Sequence, residues 1–95
     1  MTGTKRSSAD LDIRRRKALF RSWHRGMREV DLILGSFADG EIGTLSDDEL
    51  GIYEALMAEQ DADILKWIMG EVRVPEHHDT AVFAKILSYR PAVAN

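Results

Sequence analysis

Apolar residues recur along this chain at steps of three and four, separated by short polar stretches that hold most of the glycine and both prolines. That spacing predicts helices and no strand of convincing length. A first helix is expected from Ser8 or Asp10 to about His24, with Ile13, Leu19, Phe20 and Trp23 as a sparse apolar stripe beside Arg14-Arg15-Arg16-Lys17. Gly26 stops or bends it, because glycine inside a helix costs ~1 kcal/mol. In the second segment Met27, Val30, Leu34 and Phe37 share one face. Gly35 and the stretch Asp39-Gly40-Glu41-Ile42-Gly43 are expected to end it in a loop.

The third helix has the clearest start. Ser46 can cap it, Glu49 completes a capping box, and Leu45 can staple onto Leu50. Asp47 and Asp48 suit the positive end of the helix dipole, and Leu50, Tyr53 and Leu56 or Met57 continue a buried face. Asp61 is a good cap for a short fourth helix carrying Leu65, Trp67, Ile68 and Met69, with Gly70 in a left-handed conformation at its end. Trp67 is expected in the core. Pro75 punctuates a linker. A fifth helix is expected from about Asp79 to Tyr89, burying Val82, Phe83, Ile86 and Leu87, with Pro91 as its stop. The fold class is therefore all-α, a compact five-helix bundle over residues 10–90 between a flexible tail at 1–9 and a short tail at 91–95.

Composition narrows the setting. The 95 residues include no cysteine, which removes disulfides, thiolate metal sites and a cysteine nucleophile. No apolar run approaches the roughly 18 residues needed to span a membrane. The first dozen residues lack the apolar stretch of a secretory signal. They are basic and Ser/Thr-rich like an organelle transit peptide, but short and interrupted by Asp10 and Asp12. The expectation is a soluble cytoplasmic protein. The net charge of -3 conceals an asymmetry: residues 1–28 hold nine Lys/Arg and two Asp, and residues 29–95 hold four Lys/Arg and fourteen Asp/Glu. A basic end on an acidic body can orient one partner, and the acidic body disfavours broad nucleic-acid binding.

The densest chemistry lies in Trp23-His24-Arg25-Gly26-Met27-Arg28-Glu29-Val30-Asp31. With a helix starting near Gly26, Met27 and Val30 point inward, and Arg25, Arg28 and Glu29 face solvent. Arg25 and Glu29, four apart, can pair. One reading is an ordinary surface salt bridge; the other is a recognition patch. There Gly26 lets a partner backbone approach, the arginines offer planar donors and Glu29 an acceptor.

Other constellations fall away. Adjacent histidines such as His77-His78 rarely converge on one ion, and only His24 remains as a further His or Cys, so no metal is expected. Asp39-Gly40-Glu41 lacks the alternating oxygen ligands of a calcium loop. Ser22 and His24 lie on no nucleophile elbow, and no phosphate-cradling glycine loop is present. The basic run lacks nearby Asn or Gln for base reading and reads as a solvated basic face. No catalytic residue is assigned, and the chain is not expected to be an enzyme.

WHRGMREVDLILGSF followed by LSDDELGIYEALMAEQDADILKWIMG resembles the succinate dehydrogenase assembly factor family, from about Ile13 to Tyr89. The family's Arg-Gly-x-x-Glu signature stands as Arg25-Gly26-Met27-Arg28-Glu29. Asp31 and Leu34 follow it, then Leu45 to Glu49 and the run Asp61 to Trp67. The resemblance implies a five-helix bundle that binds the flavoprotein subunit of succinate dehydrogenase or fumarate reductase and promotes covalent attachment of FAD to a client histidine. It implies no cofactor held by the chain itself, since FAD stays on the client, and neither nucleic acid nor membrane as partner. Arg25, Gly26 and Glu29 match the family's functional surface; Arg28, Trp23, His24 and Asp31 complete the expected client-binding set. The alternatives are a general interaction module, such as an antitoxin-like regulator, and a basic-helix nucleic-acid binder. Recovery of the flavoprotein in a pulldown separates the first reading from these, and steeply salt-dependent DNA or RNA binding marks the last.

Overall fold

One helix, α2 at Arg28–Glu41, touches all the others: it packs on α1 at Ile13–Trp23, α4 at Asp61–Ile68 and α5 at Ala81–Leu87, and its Phe37 ring lies 4.9 Å from that of Tyr53 on the remaining helix. The remaining helix, α3 at Asp47–Met57, packs on α1 and α5, and a 3-10 turn at Glu76–His78 leads into α5. This computed structural model describes residues 9–90; both tails beyond that span, and the expected stop at Pro91, lie outside the described residues. The chain is all-α, with no strand among the described residues.

The central position of α2 follows from its sequence. Val30, Ile33, Leu34, Phe37 and Ala38 are buried, a stripe wide enough to receive helices on more than one side. The helix runs unbroken through Gly35 and on past Asp39, where the loop was expected to begin. It continues to Glu41 because Gly35 is a packing position: the indole of Trp23 lies directly over it, and a Cβ there would overlap the ring. Trp23 Nε1 then donates to Asp39 Oδ1 one turn further along, at 3.1 Å. Gly40 does the same for the Tyr89 hydroxyl, which donates to Glu41 Oε2 at 2.7 Å. Burial of two aromatic rings outweighs the ~1 kcal/mol that each glycine costs a helix.

Helix α1 departs furthest from its expected stripe. Ile13 and Phe20 are 67% and 62% exposed, and the buried residues are Ala18, Leu19, Ser22 and Trp23. Small side chains at 18 and 22 let α1 approach closely. Ser22 sits beside Tyr53, Oγ to Oη 2.6 Å, and also donates to the Ala18 carbonyl. Burial pushes the Tyr53 phenol well above its ordinary pKa. The neighbouring basic run is largely consumed inside the molecule. Arg14 makes a two-pronged pair with Glu54, and Arg15 donates to the Ile42 and Leu45 carbonyls while meeting Asp12 and Asp47. These bonds fasten basic α1 to the acidic start and middle of α3. The solvated basic face is thus only partly that.

The predicted start of α3 is present in full: Ser46 Oγ accepts from Glu49 N, and Ser46 N donates to Glu49 Oε1 at 2.8 Å. That backbone bond chiefly holds the Glu49 carboxyl below its ordinary range. Gly70 adopts φ 77° past the end of α4, where Glu71 N reaches the Lys66 carbonyl. Within α4 the buried residues are Ile64 and Ile68; Leu65 and Trp67 are half-buried against the core, and Met69 is exposed. Helix α5 is shorter than expected and starts from a Thr80 cap, but Val82, Phe83 and Ile86 are buried.

Gly35→Ala tests the placement of Trp23. Alanine favours the helix by ~1 kcal/mol, but the overlap falls on a rigid ring already fixed by Asp39. The expected net result is destabilisation of about 1–3 kcal/mol in chemical denaturation, with a red-shifted Trp emission.

Candidate functional site

Four residues, His24 to Met27, turn the chain from α1 into α2. His24 ends α1 with its N–H on the Arg21 carbonyl, and Met27 opens α2 from an extended conformation without a side-chain cap. Between them Gly26 has φ 101°, a value open to glycine and strained for any other residue. A Cβ at Gly26 would meet nothing within 4 Å. Glycine is therefore required for the reversal, and the space above it is open.

The turn is locked by Arg25. Its backbone N–H donates to Asp31 Oδ1 at 2.8 Å. Its guanidinium runs under the bundle: Nε donates to Asp61 Oδ1 at 2.8 Å, Nη1 to the Met57 carbonyl at 2.6 Å and Nη2 to the Glu59 carbonyl at 3.0 Å. The side chains of Arg25 and Asp61 are only 10% and 16% exposed. Arginine suits this place because its planar fork presents several donors at once. The carbonyls lie at and just beyond the end of α3, where a helix leaves acceptors unsatisfied and favours positive charge. Asp61, in the first turn of α4, favours the opposite end of that helix's dipole. It is the first residue of the helix rather than its cap, and Arg25 is its partner.

These contacts correct two expectations. Arg25 does not face solvent, and it does not pair with Glu29. Trp23 likewise is 7% exposed and packed on Gly35, so its ring belongs to the core. Asp31 is half-buried and holds the Arg25 amide. The structure leaves His24, Gly26, Arg28 and Glu29 on the surface. His24 stacks on exposed Phe20, ring centroids 3.9 Å apart, with Nδ1 at 2.7 Å from the Phe20 carbonyl. The side chains of Arg28 and Glu29 make no hydrogen bond or ion pair among the described residues, and they project from the first turn of α2. Leu32, three and four positions on, is 49% exposed on the same side of the helix.

The sequence reading missed Asp61, Phe20 and Leu32. Asp61 lies 36 positions from Arg25 and was read as a helix cap and as the start of the matching run to Trp67, not as a partner of Arg25. Phe20 was assigned to the core by its spacing. Leu32 was visible as an apolar residue outside the buried face and could have been noticed.

The buried arginine, the positive-φ glycine and the free glutamate give the signature a defined geometry, and comparison with known proteins names it. The family described as "Flavinator of succinate dehydrogenase" matches residues 16–90. The chain belongs to the Sdh5 family. The succinate dehydrogenase assembly factor 2, mitochondrial, of Dictyostelium discoideum is 40% identical over 74 residues, covering 78% of this chain and 52% of the relative. The FAD assembly factor SdhE of Acetobacter pasteurianus is 30% identical over 78 residues, covering 82% and 72% respectively. A mitochondrial assembly factor 2 of Komagataella phaffii is 35% identical over 86 residues, covering 86% and 45%. The chain thus spans about half the length of these mitochondrial relatives and 72% of the bacterial one. No solved structure matches the chain significantly. The matched span contains every helix from α2 onward and most of α1, so the Sdh5 family model covers nearly all of the bundle.

Within the Sdh5 signature the two charged ends therefore differ in kind. Arg25→Ala strands Asp61 and two carbonyls and is expected to cost about 2–4 kcal/mol, toward the lower side of values for breaking buried pairs. Glu29→Ala is expected to change stability by less than ~0.5 kcal/mol. Urea denaturation of both variants checks the contrast; equal losses would contradict it.

Proposed function

We propose that this Sdh5-family chain is a non-catalytic assembly factor that binds the flavoprotein subunit of succinate dehydrogenase, or of fumarate reductase, and promotes covalent FAD attachment. The observation that carries the reading is the exposed, unpaired Glu29 beside Arg28, held on a turn that Arg25 and Gly26 fix from below. Two charged groups left free on a pre-organised helix start can engage a partner without first breaking internal bonds. Gly26 offers open space beside them, and the apolar surfaces of Leu32 and Phe20 lie on the two helices that leave the turn.

The reacting groups in flavinylation, a flavin methyl carbon and an imidazole, both belong to the client. The factor's contribution is geometric: Arg28 and Glu29 hold client polar groups, with His24 and Gly26 at the contact edge, so that the client's own reactants meet in a narrow range of angles. Positioning of this kind can by itself account for large accelerations. The cofactor remains with the client, and the chain acts as a monomer. No helix among the described residues is long and apolar enough to cross a membrane. The reading includes a setting in the bacterial cytoplasm, with which a bacterial relative, the FAD assembly factor SdhE of Acetobacter pasteurianus, is consistent. Engagement of Arg14 and Arg15 within the bundle counts against the nucleic-acid reading, because it removes much of the charge that a phosphate-binding helix needs.

Glu29→Ala tests the proposal in cells lacking the wild-type copy. Covalent flavin on the client, read by in-gel fluorescence, is expected to fall severalfold while the factor accumulates at its normal level. Unchanged fluorescence at equal abundance would overturn it.

A further inference from the structure

The link between α3 and α4 meets the 3-10 turn through Glu59. Glu59 Oε2 lies 2.7 Å from His78 Nε2 and 3.7 Å from His77 Nε2. The three ligand atoms all fall within 4.8 Å of one another. The two imidazole rings are 4.1 Å apart at 42°, so neighbouring residues that diverge on an extended loop here aim at one carboxylate oxygen. The tight turn of the 3-10 segment does this, and Glu59 comes from 19 positions upstream, where sequence spacing could not show it.

We propose that Glu59, His77 and His78 form a site for a divalent transition cation of the zinc class. Two imidazole nitrogens and one carboxylate oxygen suit such an ion, whereas calcium and magnesium prefer all-oxygen shells. Donors about 2.1 Å from a tetrahedral centre stand about 3.4 Å apart. The separations of 2.7 and 3.7 Å bracket that value and the third lies within 4.8 Å, so side-chain shifts of about 1–1.5 Å admit the ion. His78 is pre-positioned: its side chain is 3% exposed and its ring lies against Trp67, centroids 5.6 Å apart. His77, 70% exposed, leaves an open side for entry and for water as the remaining ligand. The His78–Glu59 hydrogen bond would stand without any metal. The approach of His77 to the same oxygen is what that bond alone does not require.

The site has a structural consequence within the bundle. The Glu59 carbonyl accepts from Arg25 Nη2, so an ion on the Glu59 side chain would hold the same segment that Arg25 holds through the backbone. This inference does not rest on the proposed function.

The test is titration of the untagged full-length chain with Zn²⁺ against a chromophoric chelator, and with Co²⁺ by visible absorption. One ion per chain is expected, with Co²⁺ ligand-field bands of low-coordinate nitrogen–oxygen type. His77→Ala, which alters an exposed side chain, should weaken binding roughly 10-fold or more, as should Glu59→Gln. His24→Ala should leave it unchanged. Zn²⁺ should raise the melting temperature of the wild type and not of His77→Ala. Absence of wild-type binding at millimolar Zn²⁺, or equal affinity in His77→Ala or Glu59→Gln, would overturn the assignment.

Discussion

A guanidinium placed under a helical bundle must find acceptors for its donors, and in this chain that requirement organises the fold around the α1–α2 turn. Arg25 meets it with Asp61 and the carbonyls of Met57 and Glu59. Each acceptor is itself in need of a partner. The carbonyls lie at and just past the end of α3, and the carboxylate gains from the first turn of α4. One side chain therefore joins the start of α2 to the link between α3 and α4, segments about thirty residues apart. Net gain from a buried ion pair is small where its desolvation is weighed in full; the large effect lies in what is stranded when one member is lost. Position 26 is part of the same constraint. The chain can lay Arg25 under the bundle and still begin α2 only by passing through φ 101°, which limits that position to glycine.

The consequence for function is a division inside five residues. Arg25 and Gly26 set the direction of the turn, Met27 is half-buried behind it, and Arg28 with Glu29 remain outside. A docking edge benefits from this arrangement, because exposed charges on a firm support lose little freedom when a partner arrives. Family membership places the same five residues in a family described as the flavinator of succinate dehydrogenase. Under the proposed function, holding a client in a reactive geometry would demand such stiffness, since small misplacements cost large factors in rate.

The local signals of this fold were legible in the sequence and the distant ones were not. The Ser46–Glu49 capping box and the left-handed Gly70 are decided within a few residues and stand as read. The face of α2 was also legible, through Val30, Leu34 and Phe37. Its length was not, because Gly35 reads as a breaker until Trp23 is known to lie on it. The stripe assigned to α1 held at Leu19 and Trp23 but not at Ile13 and Phe20: close approach to α3 favours Ala18 and Ser22 over bulk, leaving Phe20 to stack on His24 outside. At the site, Arg25 and Glu29 looked like ordinary partners four apart. The true partner, Asp61, is 36 positions away, and only the fold brings it near. Glu59 was hidden from His77 and His78 in the same way.

The division of the signature is tested most directly by measuring flavoprotein affinity across temperature for the Arg25→Ala and Glu29→Ala variants, alongside their melting curves. An Arg25 variant that acts through the fold loses apparent affinity in proportion to its unfolded fraction and recovers it on cooling. A Glu29 variant that has lost a contact binds weakly at every temperature while melting like the wild type. A fully folded Arg25→Ala protein that still fails to bind, or a Glu29→Ala protein that binds normally, would contradict the division.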